Sequence, residues 1–346
     1  MNTPLLTVLM PVYNAEKYLR EAVESILTQT FAAFEFLIID DCSTDGSAAI
    51  IESYGDVRIR FLRNETNRGI SETLNRGIEL ATTEFIARMD ADDISYPERL
   101  AQQYAYMTAH PDCALLSCAA RVVDEARRPI RIDRFHSEYF YYNLTFICWM
   151  YHPTVVYRRC AVQHVGGYRL RYAEDHALFL ELARHYKIWN LEQVLLDYRV
   201  TSESLHQVRF PAEYEQAQRE VVRARLRDFM GPDFTLSDIH LECLRHRFEP
   251  ILRERNIDSM AYCLRLLDRI NEKIINTENC NNSAEFTTEA ARHKKRFILQ
   301  NLTENLTTLE AIILMWKVGI PPWEILAYGK ESLKEIILSK RESTYQ

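Results

Sequence analysis

The sequence predicts an α/β fold: a mostly parallel sheet flanked by helices, followed by a mainly helical C-terminal region. Three observations lead there. Short apolar runs alternate with amphipathic helical patterns over roughly the first 110 residues, the rhythm of a sheet covered on both faces. Three of those runs end in polar motifs: Pro11-Val12-Tyr13-Asn14, Asp40-Asp41 and Asp90-Ala91-Asp92-Asp93. From Pro211 onward the chain turns helical and charged. Two regions are therefore expected, 1–210 carrying the site and 211–346 following it.

The elements follow in order. Residues 7–10 form a short apolar strand closed by Pro11. Leu19, Val23, Ile26 and Leu27 recur at helical spacing within 16–30. A second strand covers 34–39, a turn at Ser43-Thr44-Asp45-Gly46-Ser47 opens a helix, and 57–62 is a third strand. Residues 69–80 are helical, with Ile70, Leu74 and Ile78 on one face, and 84–89 is a fourth strand. Ligands of such sheets bind beyond the carboxyl ends of the strands, so the three polar motifs are expected to meet at one edge. Past Asp93 the pattern loosens. It gives a helix over 97–109, a strand over 114–123, an aromatic-rich stretch over 131–151 and a strand over 154–157. A Gly166-Gly167 turn, a helix opening at Glu174-Asp175 and running to about His185, and a strand over 195–200 complete the first region. The polar stretch 271–288 reads as a loop or local boundary.

Composition narrows the function. At 346 residues, 47% hydrophobic and 26% charged, the chain has material for a large core. The formal net charge of −7 argues against wholesale nucleic-acid binding. Eight cysteines form no Cys-x-x-Cys pair, which sets aside a zinc ribbon or redox dithiol and fits reduced thiols. The N-terminus lacks the basic segment of a signal peptide, and no apolar run reaches the roughly 20 residues of a spanning helix. A cytoplasmic protein is expected. Its tail from His293 mixes basic and apolar residues, which suits peripheral association with an anionic membrane, here the inner face of the plasma membrane.

The acidic triplet poses a charge problem. Two unit charges ~4 Å apart interact by about 4 kcal/mol at an effective dielectric near 20. Asp90, Asp92 and Asp93 fall within four residues at a strand end, so they repel unless a cation lies among them. Hard divalent ions prefer such oxygen ligands. The plainer alternative is a polar loop with an Asp capping the next helix.

Taken together, Val8 to Asn14, Ile38-Ile39-Asp40-Asp41-Cys42-Ser43-Thr44-Asp45-Gly46-Ser47, Asn67-Arg68-Gly69 and Met89-Asp90-Ala91-Asp92-Asp93 resemble the family 2 inverting glycosyltransferases of the GT-A fold, over residues 5 to 205. The resemblance implies a nucleotide-sugar donor, usually a UDP-sugar, and a divalent metal, Mn2+ or Mg2+. It places Pro11, Val12 and Tyr13 along the nucleobase slot, and one of Asp40 or Asp41 on uracil N3. Asn67, Arg68 and Arg88 are implied near the sugar or phosphates. Asp92 is implied as metal ligand, and Asp90 as a ribose or metal contact. Cys42 stands where the family has Gly, a mild strain if the position needs φ > 0.

Glu174-Asp175 resembles the family's acidic pair, with Asp175 as the catalytic base and Glu174 supporting the acceptor. A base is required to deprotonate the attacking hydroxyl, whereas a helix start alone also attracts acids. The resemblance places Trp149 and His152 near the acceptor. Tyr198-Arg199, with Ser204 and His206, resembles the closing segment whose basic residues contact the diphosphate, although Thr201 replaces a common His. The expected function is transfer of a hexose or N-acetylhexosamine to a glycan or lipid-diphosphate-linked acceptor, in O-antigen or capsule synthesis. The competing readings are a non-catalytic nucleotide-sugar-binding subunit and, from a different class, a phosphoryl-accepting receiver, whose Asp and Lys placement the sequence lacks.

Overall fold

The computed structural model describes residues 3–201, 211–323 and 325–326. They divide into two compact units, one running to Val222 with residues 278–282 added, the other holding the remainder. The boundary expected at 210 lies ahead of a helix whose first turns belong to the first unit.

That unit begins as β1 (Leu6–Val12), α1 (Leu19–Leu27), β2 (Phe34–Asp40), α2 (Ser47–Glu52), β3 (Ile59–Arg63), α3 (Ile70–Leu80) and β4 (Phe85–Arg88). β1 pairs in parallel with β2 and β4, and β2 with β3. Alternation at period two sends Leu6, Val8, Met10 and Val12 to one core and Leu9 to the other. α1 covers the first face through Leu19, Val23 and Ile26, and α3 the second through Leu74 and Ile78. Gly77 lets α3 lie directly on Leu9, where a Cβ would collide with the leucine methyls.

After Asp93 the topology changes. The chain continues as β5 (Ile94–Ser95), α4 (Arg99–Ala109), β6 (Cys113–Val123), β7 (Pro129–Asp133), α5 (Phe140–Asn143), β8 (Val156–Arg158), α6 (Arg159–His164), α7 (Glu174–His185) and β9 (Lys187–Arg199). Among the described residues the nine strands form one mixed sheet in the order β3-β2-β1-β4-β8-β6-β9-β5, with β7 paired to β6. β8 runs antiparallel to β4 and β6, β7 antiparallel to β6 and β5 antiparallel to β9, while β6 and β9 are parallel. The last strand begins at Lys187 rather than near 195, its polar residues having masked the pattern; its ladder with β6 is broken by register shifts. α8 (Pro211–Met230) brings Ala217 and Val221 onto this unit's core. Asn281 returns to it, accepting from the Ile188 N–H at 2.9 Å and donating to the Tyr186 carbonyl at 2.7 Å.

The second unit contains α9 (Asp238–Leu244), α10 (Glu249–Glu254), α11 (Ile257–Ile275), α12 (Ala284–Glu304) and α13 (Thr308–Lys317). Of residues 271–288, 276–283 form the expected loop between α11 and α12, whereas 271–275 and 284–288 continue these helices. Asn271 and Thr287 are buried on them, polar residues that turn inward and so disguise a helix. Lys294 is also buried, with its Nζ 3.0 Å from His246 Nε2. The basic run after His293 is therefore not a continuous exposed strip. Among the described residues no helix is long and apolar enough to cross a membrane.

Candidate active site

The strand register brings the three polar motifs to one edge. Val12 pairs with Asp40, Asp40 with Arg63, and Leu9 with Arg88. Pro11 and Val12 are buried, Val12 within the core, while Tyr13 is 41% exposed. The Pro11–Asn14 and Asp40–Asp45 loops are stitched together: Asn14 N–H donates to Ser43 Oγ, and Thr44 N–H to Asn14 Oδ1.

Asp40 and Asp41 are both engaged within the protein. Asp40 accepts from the Ser43 N–H at 3.1 Å and pairs with Arg63 Nε at 2.9 Å. Asp41 gathers the 64–69 loop, accepting from Asn64 Nδ2 at 2.6 Å and from the N–H groups of Arg68 and Gly69 at 2.9 and 2.8 Å. Asn67 Nδ2 bonds the Asp41 carbonyl oxygen at 3.4 Å. The Arg68 guanidinium pairs with Glu72 on the surface of α3. Cys42 adopts φ 65°, the left-handed conformation its place in a Gly position foreshadowed.

The acidic triplet is built differently. Asp90, Asp92 and Asp93 each present an oxygen within 4.8 Å of the others. Arg88, buried, pairs with Asp90. Asp93 Oδ1 accepts from the Arg199 N–H at 2.7 Å, but its Oδ2 is buried without a hydrogen-bond partner. Burial and then Asp90 push Asp92 up to about 7. Burial, Asp92 and Asp90 hold Asp93 well above the ordinary carboxylate range. A divalent cation reverses that penalty, and an all-oxygen donor set suits Mg2+ or Mn2+. These residues fit the implied metal.

Arg199 supports the triplet from behind. Its Nε donates to the Asp92 carbonyl at 2.8 Å, its other nitrogens reach the Glu125 carbonyl and Glu21, and its guanidinium lies over the Tyr18 ring. The diphosphate contact implied for it is not the geometry found: the guanidinium is committed to protein groups. Ser204 and His206 lie outside the described residues.

The acidic pair opens α7. Ala173 precedes it at φ 55°, a conformation unusual for a non-Gly residue and a mark of local strain. Burial, then the Asp175 carboxylate, raises Glu174 to about 8. His152 stands behind Glu174, with Nδ1 3.7 Å from Glu174 Oε1 and Nε2 2.7 Å from the Tyr168 hydroxyl. Its burial, with Arg88 nearby, lowers it well below the usual histidine range, so the ring is neutral. His152 is thus a buried partner of Glu174 and Tyr168, with 8% of its surface exposed. Trp149 is half-buried, its ring 5.3 Å from that of Phe135. Arg88 pairs with Asp90, and its charge is further supported by Glu174 through space.

Comparison with known proteins gives the frame for this geometry. The model for glycosyl transferase family 2 matches residues 7–168. A putative glycosyltransferase of Bacillus subtilis, EpsE, is 31% identical over 224 residues, 62% of this chain and 80% of that protein. The chain belongs to glycosyl transferase family 2. A second relative from B. subtilis, the putative teichuronic acid biosynthesis glycosyltransferase TuaG, is 29% identical over 58% of this chain and 81% of its own length. Among solved structures, Staphylococcus aureus TarS (residues 1–349, with UDP-GlcNAc) superposes with a TM-score of 0.55 at 17% identity, covering 86% of this chain and 91% of that one. The mannosyltransferase PcManGT of Pyrobaculum calidifontis, solved with GDP-Man and Mn2+, gives 0.51 at 17% identity, with 92% and 88% covered. The chain is accordingly a glycosyltransferase with a GT-A-like fold.

Two residues beside this family 2 site carry no signal in the sequence. Arg99, fully buried, donates to the Arg88 carbonyl at 2.7 Å and to Gln103 Oε1 at 3.0 Å. Gln103 in turn donates to the Thr154 carbonyl at 2.7 Å. This relay ties the strand that presents the triplet to the His152–Thr154 turn beside Glu174. In sequence the two are polar residues one helical turn apart, the spacing of an ordinary solvated face.

Proposed function

We propose that this glycosyltransferase is a metal-dependent, inverting enzyme that moves a hexose or N-acetylhexosamine from a UDP-sugar. The acceptor in this reading is a hydroxyl of a glycan or lipid-diphosphate-linked intermediate of surface-polysaccharide synthesis. The observation that carries it is the oxygen cluster of Asp90, Asp92 and Asp93 at the sheet edge, with Asp90 paired to the buried Arg88. TuaG's link to teichuronic acid biosynthesis, the UDP-GlcNAc bound to TarS, and the GDP-Man and Mn2+ bound to PcManGT support a nucleotide-sugar donor, a divalent metal and a polysaccharide product.

Asp92 and Asp90 would hold Mn2+ or Mg2+, with Asp93 behind them. The bound ion supplies Lewis-acid charge to the departing diphosphate. The chain's own residues do the rest. Tyr13, with Pro11 and Val12, offers the nucleobase a flat apolar surface. Asp40 and Asp41 hold the loops around it. Asp175 takes the proton of the acceptor hydroxyl. Glu174, protonated near neutral pH, donates a hydrogen bond to the acceptor and leaves one negative charge in the pair. Trp149 lines the acceptor side.

The second unit supports peripheral membrane association at the inner face of the plasma membrane. It exposes Leu309, Ile313, Trp316, Trp323 and Leu326, and tryptophan favours the membrane interface. Residues beyond Leu326 lie outside the described residues. Sedimentation with anionic vesicles is expected for the full chain; equal recovery without lipid overturns this part.

The enzymatic reading is tested by UDP release from UDP-glucose, UDP-galactose and UDP-N-acetylglucosamine. Turnover of at least one donor is expected, lost in EDTA and recovered when Mn2+ is restored. Turnover unchanged in EDTA, or turnover of none, overturns it.

A further inference from the structure

We propose that α8 belongs to the proton-transfer machinery: Gln218, acting through His176, positions Asp175. The inference rests on the reading of Asp175 as the base.

A helix start is usually held by a capping side chain that takes up its free N–H groups. α7 has no side-chain cap, and it is entered through Ala173 in the left-handed region. Something else must fix the direction of its first turn, where Glu174 and Asp175 stand. His176 is the next residue and is fully buried. Its own N–H donates to Asp175 Oδ1 at 2.7 Å, so the placement of the His176 backbone sets the place of that oxygen.

The ring of His176 is held at both nitrogens. Nε2 lies 2.7 Å from the Leu144 carbonyl oxygen, which can only accept, so Nε2 carries a proton. Nδ1 lies 2.9 Å from Gln218 Oε1, a second acceptor, so in this arrangement Nδ1 carries a proton as well and donates to it. The ring is thereby clamped between the turn after α5 and the middle of α8. Gln218 is itself buried and lies 3.3 Å from the Tyr214 hydroxyl through its Nε2. Tyr214 is one turn earlier on α8; after burial, the charges of Asp175 and Glu174 raise its hydroxyl. α8 therefore reaches His176 through Gln218, which Tyr214 backs from one turn earlier on the same helical face. Tyr214 and Gln218 precede Val222 and belong to the same compact unit as the pair. Both lie beyond residue 168, where the family match ends.

A residue that only packs α8 against the core would affect folding or all kinetic constants together. One that aims the base affects the chemical step while leaving the donor bound as before. The test uses the full chain and whichever of UDP-glucose, UDP-galactose or UDP-N-acetylglucosamine is turned over. Gln218→Met removes the amide at nearly constant volume. Its kcat is expected to fall about tenfold, with donor KM and the affinity for UDP with Mn2+ within about twofold. The acid limb of its pH–rate profile is expected to shift. Gln218→Glu keeps an oxygen facing Nδ1 and is expected to restore most of kcat. Should Gln218→Met fail to fold, Gln218→Asn, which withdraws the amide by one methylene, is read in the same way. Wild-type kcat and pH profile in the variant, or a parallel loss of kcat and UDP binding, overturns the inference. Asp175→Asn separates the two levels. If it still transfers sugar, the base reading fails and this inference with it. If it is inactive while Gln218→Met keeps the wild-type rate, only the positioning by α8 fails.

Discussion

Asp40-Asp41 and Asp90-Asp92-Asp93 stand at the same sheet edge but are built in opposite ways. The first cluster is saturated by the protein: the Ser43 N–H and Arg63 serve Asp40, while Asn64 and two main-chain N–H groups serve Asp41. The second is short of donors. Arg88 pairs with Asp90 and one N–H reaches Asp93, whose other oxygen is buried without a hydrogen-bond partner. Identical side chains at one edge thus serve different ends. One cluster's charge is taken up in folding two loops, and the other's is left open to the cation proposed for it. What separates them is the number of N–H groups aimed at each carboxylate, and short sequence motifs do not display that number.

Four substitutions sharpen the contrast. The largest effect is expected at Asp92. Asp92→Asn should lower sugar transfer by about 10²–10³-fold, measured as UDP release, and should raise the thermal midpoint of metal-free protein by removing a repelling charge. Asp41→Asn is expected to do the reverse. Turning an amide toward three donors should cost about 3 kcal/mol in denaturant unfolding, with the folded fraction still able to bind Mn2+. Glu174 gives a pH-dependent case. Its folded-state value of about 8 lies above the ordinary glutamate value, so the folded state holds more protons across that interval. Stability contributed at low pH is therefore lost as pH rises toward 8, and Glu174→Gln should flatten that decline in thermal melts. The smallest effect is at Cys42. With φ at 65°, Cys42→Gly should stabilise by up to about 1 kcal/mol, read from the denaturation midpoint.

The parallel half of the sheet was legible because strands buried on both faces read as apolar runs, and because helical spacing at Leu19, Val23 and Ile26 needs no partner to be recognised. Its strand ends, and hence the meeting of the three motifs, followed from topology alone. The antiparallel half was harder. β5 has two residues, β7 is exposed along most of its length, and β9 carries charges through its first half. Pairings of that kind are set by distant partners rather than local pattern. The same holds at the site. Glu174-Asp175 could be found as a motif, but the clamps around it could not. Arg99, Gln103, His176 and Gln218 are buried polar residues joined across 4 to 51 positions of sequence. Read singly, each is an ordinary residue on a helix.

The account turns on the claim that the triplet, and not Asp40-Asp41, holds the cation. Calorimetric titration of Mn2+ into the UDP-bound wild type, Asp41→Asn and Asp92→Asn proteins tests it most directly. The account predicts one-site binding in the wild type and in Asp41→Asn, and its loss in Asp92→Asn. Unchanged binding in Asp92→Asn, or loss confined to Asp41→Asn, would contradict it.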